Sequence, residues 1–249
     1  MKYFISPSMK MKSVDNFMGL EQEIAFPEAT ASIIKALQTM TDDQRQTLWA
    51  CSDRVALEAN EWTKQLNLRS SGSPAILTYQ GIQYQAMAPD LMTTEQLERL
   101  SQRLRILSGL YGVVAPFTPI QPYRLEMKAK LSVKGAADLY HYWGSQLYER
   151  LFADHEVVLN LASKEYSRAI SPYLGPEDQF VTIELLTEKN GKLTQPSTAV
   201  KQARGFFVRD LVERDVTNLE DVKAFRVAGY QYSEALLTTT TFKFIKANH

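Results

Sequence analysis

The chain has 249 residues, 45% hydrophobic and 22% charged, with 28 lysines and arginines balanced by 28 acids. This is ordinary for a soluble globular protein; no apolar run nears the roughly 20 residues of a membrane span, and the stretch Met1–Pro7 is too short for a secretory signal. One cysteine, Cys51, excludes an internal disulfide framework and a multi-cysteine zinc cluster; with only His141, His155 and His249, scattered, neither metal nor cofactor is expected.

Lys2–Ile5 reads as a first strand, stopped by Ser6-Pro7 and followed by a loop carrying Lys10 and Lys12. Pro27–Met40 has helical spacing with a proline at its start. Thr41 before Asp42 and Asp43 is an N-cap with early acids, and the apolar stripe from there runs through Leu48, Val55, Leu57 and Trp62. Ala75–Tyr79 reads as a strand. Thr93 or Thr94 caps a helix with Leu97, Leu100, Leu104 and Leu107 on one face, ended by Gly109 and Gly112. Pro116, Pro119 and Pro122 exclude regular helix before the Tyr123–Lys130 region, and Asp138–Phe152 is helical again.

Val157–Leu161 is apolar enough for a strand buried on both faces, with Ser163 capping the helix that follows. Phe180–Leu186 with the Lys189-Asn190-Gly191 turn reads as a hairpin. Thr198–Arg214 and Asn218–Phe225 are helices, and Tyr230–Tyr232 and Thr238–Ile245 strands. No repeat or long linker divides the chain. The expected fold is mixed α/β, a single compact domain over residues 1–249 with a central mixed sheet flanked by helices.

Charge is segregated even though it sums to zero. From Arg99 to Lys134 there are seven basic residues (Arg99, Arg103, Arg105, Arg124, Lys128, Lys130, Lys134) and one acid, Glu126. Such a segment is the footprint of an anionic partner. Tyr123, Arg124 and Glu126 place an aromatic face, a planar cationic fork and a carboxylate within four positions, a set able to hold a phosphate or a flipped base, or to form an internal ion pair. Asn160, Ser163, Glu165 and Tyr166 lie where a buried strand hands over to a helix, the usual ligand edge of an open α/β sheet. Lys201 and Arg204 share a helix face, whereas Arg209 has Asp210 and Glu213 nearby. Cys51 and the tryptophans read as core.

These blocks together resemble the YaaA-like peroxide-stress family, nearly end to end. The residues that carry the resemblance are Ile5–Ser8, Leu107–Val113, Gln121–Met127, Asp138–Tyr140 with Tyr142–Gly144, Asn160–Tyr166, Lys201–Gly205 and Ala228–Tyr230. The resemblance implies a fold peculiar to the family, a helix-hairpin-helix-like element beside a positively charged cleft, and a cytoplasmic role in limiting peroxide and iron-driven damage. It also implies binding to duplex or distorted DNA, with no established reaction. One position departs: the lysine that usually follows the Ser-Pro-small triplet is Met9 here, leaving Lys10 or Lys12 to supply the charge.

Two functions follow. In the first, the chain grips DNA through its phosphate backbone, with Lys10, Arg124, Lys128, Lys130 and Arg204 on phosphates, Asn160 and Ser163 at the sheet edge, and Tyr123 stacking on an unpaired base. In the second, it is an enzyme on a nucleotide, nucleobase or other small anion, with arginines binding the anion and Glu126 or Glu165 moving protons. Iron sequestration is the weakest reading, because no Glu-x-x-His pairing occurs. No membrane partner is expected.

Overall fold

The computed structural model describes residues 1–14, 21–234 and 240–246; His249 and the first two residues of the expected Thr238–Ile245 strand lie outside them. The described strands are β1 (Lys2–Ile5), β2 (Lys10–Met11), β3 (Ser73–Pro74), β4 (Tyr79–Gln80), β5 (Leu104–Ser108), β6 (Gly112–Val114), β7 (Pro119–Ile120), β8 (Val158–Asn160), β9 (Phe180–Lys189), β10 (Lys192–Thr194), β11 (Tyr230–Tyr232) and β12 (Thr241–Lys246). Eight of them form one mixed sheet in the order β11-β12-β9-β8-β1-β5-β6, with β10 paired to β9. β12, β9, β8, β1 and β5 run parallel, and β11, β6 and β10 are antiparallel. Helices flank this sheet, so the fold is the mixed α/β architecture expected.

β1 and β8 are buried at every position, as expected of β8 from the apolar run Val157–Leu161. β1 lies between β5 and β8. The chain therefore leaves β1 toward one side first and fills the other side later, which makes the carboxyl ends of β1 and β8 a topological switch point. Among the described residues no helix is long and apolar enough to cross a membrane.

The helices follow their local signals. α1 (Pro27–Thr39) has its proline at the first turn. Thr41 closes a full capping box on α2 (Asp42–Trp49), but Ala50, left-handed at φ 45°, breaks the expected continuous stripe before α3 (Asp53–Gln65). Buried Arg45 joins the three, donating to Asn60 Oδ1 (2.6 Å), Leu37 O (2.9 Å) and Met40 O (2.7 Å). Half-buried Cys51 sits in the break. The expected strand at Ala75–Tyr79 is instead one helical turn, α4 (Ala75–Thr78), leading into β4 and then α5 (Ile82–Met87).

α6 (Thr94–Arg103) begins with a second capping box, at Thr93, and stops short of the expected end at Leu107. Leu104, Ile106 and Leu107 enter the sheet as β5, fully buried, because an apolar run beside β1 gains more from burial on two faces than from one more helical turn. Gly109 and Gly112 accordingly bend a β-hairpin between β5 and β6, not a hairpin between helices. Both are buried, and a Cβ would meet Leu125 O at 2.8 Å from Gly109 and Trp143 and Phe26 from Gly112. That turn is closed to a phosphate.

Gly144, at φ 51°, divides the expected Asp138–Phe152 helix into α7 (Leu139–Trp143), capped by Asp138, and α8 (Gln146–Phe152). α9 (Lys164–Ser167) is one turn, α10 (Ser197–Glu213) is the longest helix among the described residues, and α11 (Leu219–Val222) is capped by Asn218. The hairpin at Asn190-Gly191 forms as expected, with both residues at positive φ.

Candidate functional site

The site grows from the switch point. Ser6 follows β1 directly; its Oγ accepts from the Ser163 backbone N–H (2.9 Å) and donates to Ser163 Oγ (3.3 Å). Ser163 thus stands at the N-cap position of α9, but its side chain turns to Ser6 instead of capping the helix. Asn160, buried at the end of β8, accepts from the Ala162 N–H (3.0 Å) and reaches Thr182 (3.3 Å), so it shapes the turn and is spent internally.

α5 is tied to the same point, since Tyr84 OH and Gln83 Nε2 both donate to the Ser6 carbonyl, at 3.0 and 3.4 Å. α10 packs closely on α5. A Cβ at Gly205 would lie 2.1 Å from Gln83 O, so only glycine permits this approach. The neighbouring residue, Arg204, is thereby held over the carboxyl edge of the sheet. The outcome is a cavity of about 420 Å³ lined by Ser6, Lys10, Glu126, Ser163, Glu165, Lys201 and Arg204, among others.

Its electrostatics are uneven. Lys10, Lys201 and Arg204 form no ion pair with any described residue, and the Arg204 Nε is buried without a hydrogen-bond partner. Burial draws the Arg204 guanidinium down to about 10, which leaves it charged at neutral pH. The two carboxylates on the wall are already engaged: Lys128 Nζ lies 3.4 Å from Glu126 and 3.8 Å from Glu165. Glu165 Oε1 also accepts from the Lys128 backbone N–H at 3.3 Å. Burial raises the Glu165 carboxyl above its ordinary range. A buried, unpaired cation is unfavourable unless something anionic comes to it.

The segment 123–131 shows why sequence reasoning divided the site wrongly. Tyr123, Leu125, Met127, Ala129 and Leu131 are buried, whereas Arg124, Glu126, Lys128 and Lys130 face outward. The segment has no regular strand and turns at Met127-Lys128, where the Ala129 N–H donates to the Glu126 carbonyl (3.1 Å). Its burial nonetheless alternates with a period of two, one dry face and one wet, and that signal is present in the sequence. Tyr123 falls on the dry face. Fully buried, it bonds Tyr79 OH (2.8 Å) and Ser108 Oγ (2.7 Å) through its hydroxyl, so it offers no ring to a base.

Arg124, Lys128 and Lys130 line a separate concavity with α2, which shares only Glu126 with the first. The structure therefore brings together Lys10, Glu126, Ser163, Glu165 and Arg204, sets Arg124, Lys128 and Lys130 next door, and leaves Tyr123 and Asn160 inside. Gln83, Tyr84 and Gly205 went unrecognised as the frame of the site; Gly205 inside an otherwise regular helix was the available clue. Among the described residues no three His, Cys, Asp or Glu side chains converge as metal ligands.

Fold and site define an α/β protein whose switch-point crevice is a cation-lined cavity. The family described as peroxide stress protein YaaA matches residues 1–236. A UPF0246 protein of Limosilactobacillus fermentum is 45% identical over 246 residues, covering 99% of this chain and 100% of that one. UPF0246 proteins of Ligilactobacillus salivarius and Lactiplantibacillus plantarum are each 40% identical, over 99% and 98% of this chain and 100% and 99% of theirs. The chain belongs to the peroxide stress protein YaaA family.

Proposed function

We propose that the chain serves its peroxide-stress role by binding DNA in the cytoplasm, with the phosphate backbone seated at the Lys10–Lys201–Arg204 cavity. The observation that carries this reading is Arg204: half-buried, its Nε buried without a hydrogen-bond partner and no carboxylate paired with it among the described residues, at the carboxyl edge of a parallel sheet. Lys10 and Lys201 are exposed at the same cavity and add charge that needs no sequence-specific contact. The outward row Arg124, Lys128 and Lys130 continues the basic surface beyond Glu126.

Fluorescence anisotropy with duplex, bubble and single-stranded DNA across a salt series tests it. Affinity falls steeply with salt, and each lysine removed lowers the slope of log affinity against log salt by about one unit. Absence of binding at low salt would overturn it.

A second reading, catalysis on a nucleotide or similar small anion, has its own support. Glu165, with its raised carboxyl, shares the roughly 420 Å³ cavity with Arg204 and the Ser6–Ser163 pair. A carboxyl that exchanges protons nearer neutrality, beside an anion-binding cation, suits general acid–base work. Turnover of a candidate nucleotide that Glu165→Gln abolishes, with binding retained, would favour this reading over the first.

A further inference from the structure

We propose that the concavity between α2 and residues 124–130 is a second, independent binding site, for an anion with a flat apolar body. It does not rest on the DNA reading. Its volume is about 820 Å³, within the range of small-molecule pockets. Met40, Leu48, Trp49 and Ala129 supply apolar wall, and Arg124 and Lys130 supply charge.

Cations outnumber carboxylates on that wall. Lys128 is engaged by Glu126 and Glu165, whereas Arg124 and Lys130 have no ion pair among the described residues; Asp43 is the further described carboxylate on the wall. Arg124 is half-buried and forms no ion pair with a described residue, which leaves its planar fork free for a ligand. Trp49 belongs to the same wall, and its Nε1 is buried with no hydrogen-bond acceptor among the described residues. Buried donors of this kind are ordinarily satisfied.

A planar guanidinium beside apolar wall matches one ligand chemistry: a ring for the apolar surface and a phosphate or carboxylate for a two-pronged bond. A nucleoside monophosphate and an aromatic carboxylic acid share that chemistry, and the measurement separates them.

Calorimetric titration of the full chain uses adenosine monophosphate, indole-3-carboxylate, adenosine and inorganic phosphate. At least one of the two ring-bearing anions binds saturably, and adenosine and phosphate alone bind at least about tenfold more weakly. Arg124→Gln weakens that ligand by about tenfold or more, Arg204→Gln by less than about twofold. Lys130→Glu, at an exposed position the fold does not use, also weakens it, which keeps the test decisive if Arg124→Gln unfolds. Saturation by neither anion at millimolar concentration overturns the proposal. So does loss that follows Arg204→Gln instead, or adenosine binding as tightly as its monophosphate.

Discussion

Ser6 Oγ accepts a hydrogen bond from the Ser163 N–H at 2.9 Å and donates one to Ser163 Oγ at 3.3 Å, which locks the ends of two adjacent parallel strands together. Because the Ser6 carbonyl also takes Tyr84 and Gln83, one residue joins β1, α9 and α5 at the rim of the cavity. Ser6→Ala removes the hydroxyl and leaves the Ser163 amide unpaired. The expected loss is about 1–3 kcal/mol in urea unfolding, with weaker anion binding.

Arg204 sets function against stability. Its charge is desolvated and without an ion-pair partner among the described residues, so Arg204→Met, close in length and able to fill the same space, is expected to raise stability by on the order of 1 kcal/mol while weakening DNA binding by at least about tenfold. Thermal melts of the two proteins, with and without ligand, check both halves. Duplex DNA raises the melting temperature of the wild type more than that of the variant.

Gly205→Ala normally favours a helix by about 1 kcal/mol. Here the new methyl would stand 2.1 Å from Gln83 O, a backbone atom that cannot yield without α5 moving. Overpacking wins, with an expected loss of about 1–3 kcal/mol. Displacement of α10 also carries Arg204 with it, so affinity falls without any change of charge. An unchanged melt would mean that α5 and α10 are farther apart than described.

Tyr123→Phe separates structure from recognition. The hydroxyl joins Ser108 and Tyr79 in the core, so its loss is expected to cost about 1–3 kcal/mol of stability and to leave DNA and anion binding within about twofold.

Glu165 gives the pH dependence. Its carboxyl is raised in the folded chain, so the folded state holds that proton more tightly than the unfolded state does. Stability contributed by this group is present below the ordinary glutamate range and is lost as pH rises through the raised value. Glu165→Gln removes that fall. Asp42, Asp138 and Asp154, whose partners hold their carboxyls low, act in the opposite sense. Stability at about pH 7 minus stability at about pH 4, from urea melts, is therefore expected to be more positive for the variant than for the wild type.

Much of this was legible in the residues, in proportion to how local each signal is. The N-caps at Thr41 and Thr93, the Asn190-Gly191 turn and the doubly buried β8 are short-range features, and they formed as read. Leu104 and Leu107 misled because their helical spacing competes with a place beside β1 that lies a hundred residues away in sequence. Tyr123 misled for the opposite reason: attention to its polar neighbours hid the alternation that puts it inside. The convergence of Lys10, Glu165 and Arg204 depends on sheet order and on the α5–α10 contact, and neither is written in any one segment.

The most direct test of the central claim is duplex-DNA anisotropy at low salt for wild type and Arg204→Met, after melts have established that both are folded. The expected result is tight, salt-sensitive binding by the wild type and a loss of at least about tenfold in the variant. Equal binding by both proteins would contradict the claim that the switch-point cavity is where the anion sits.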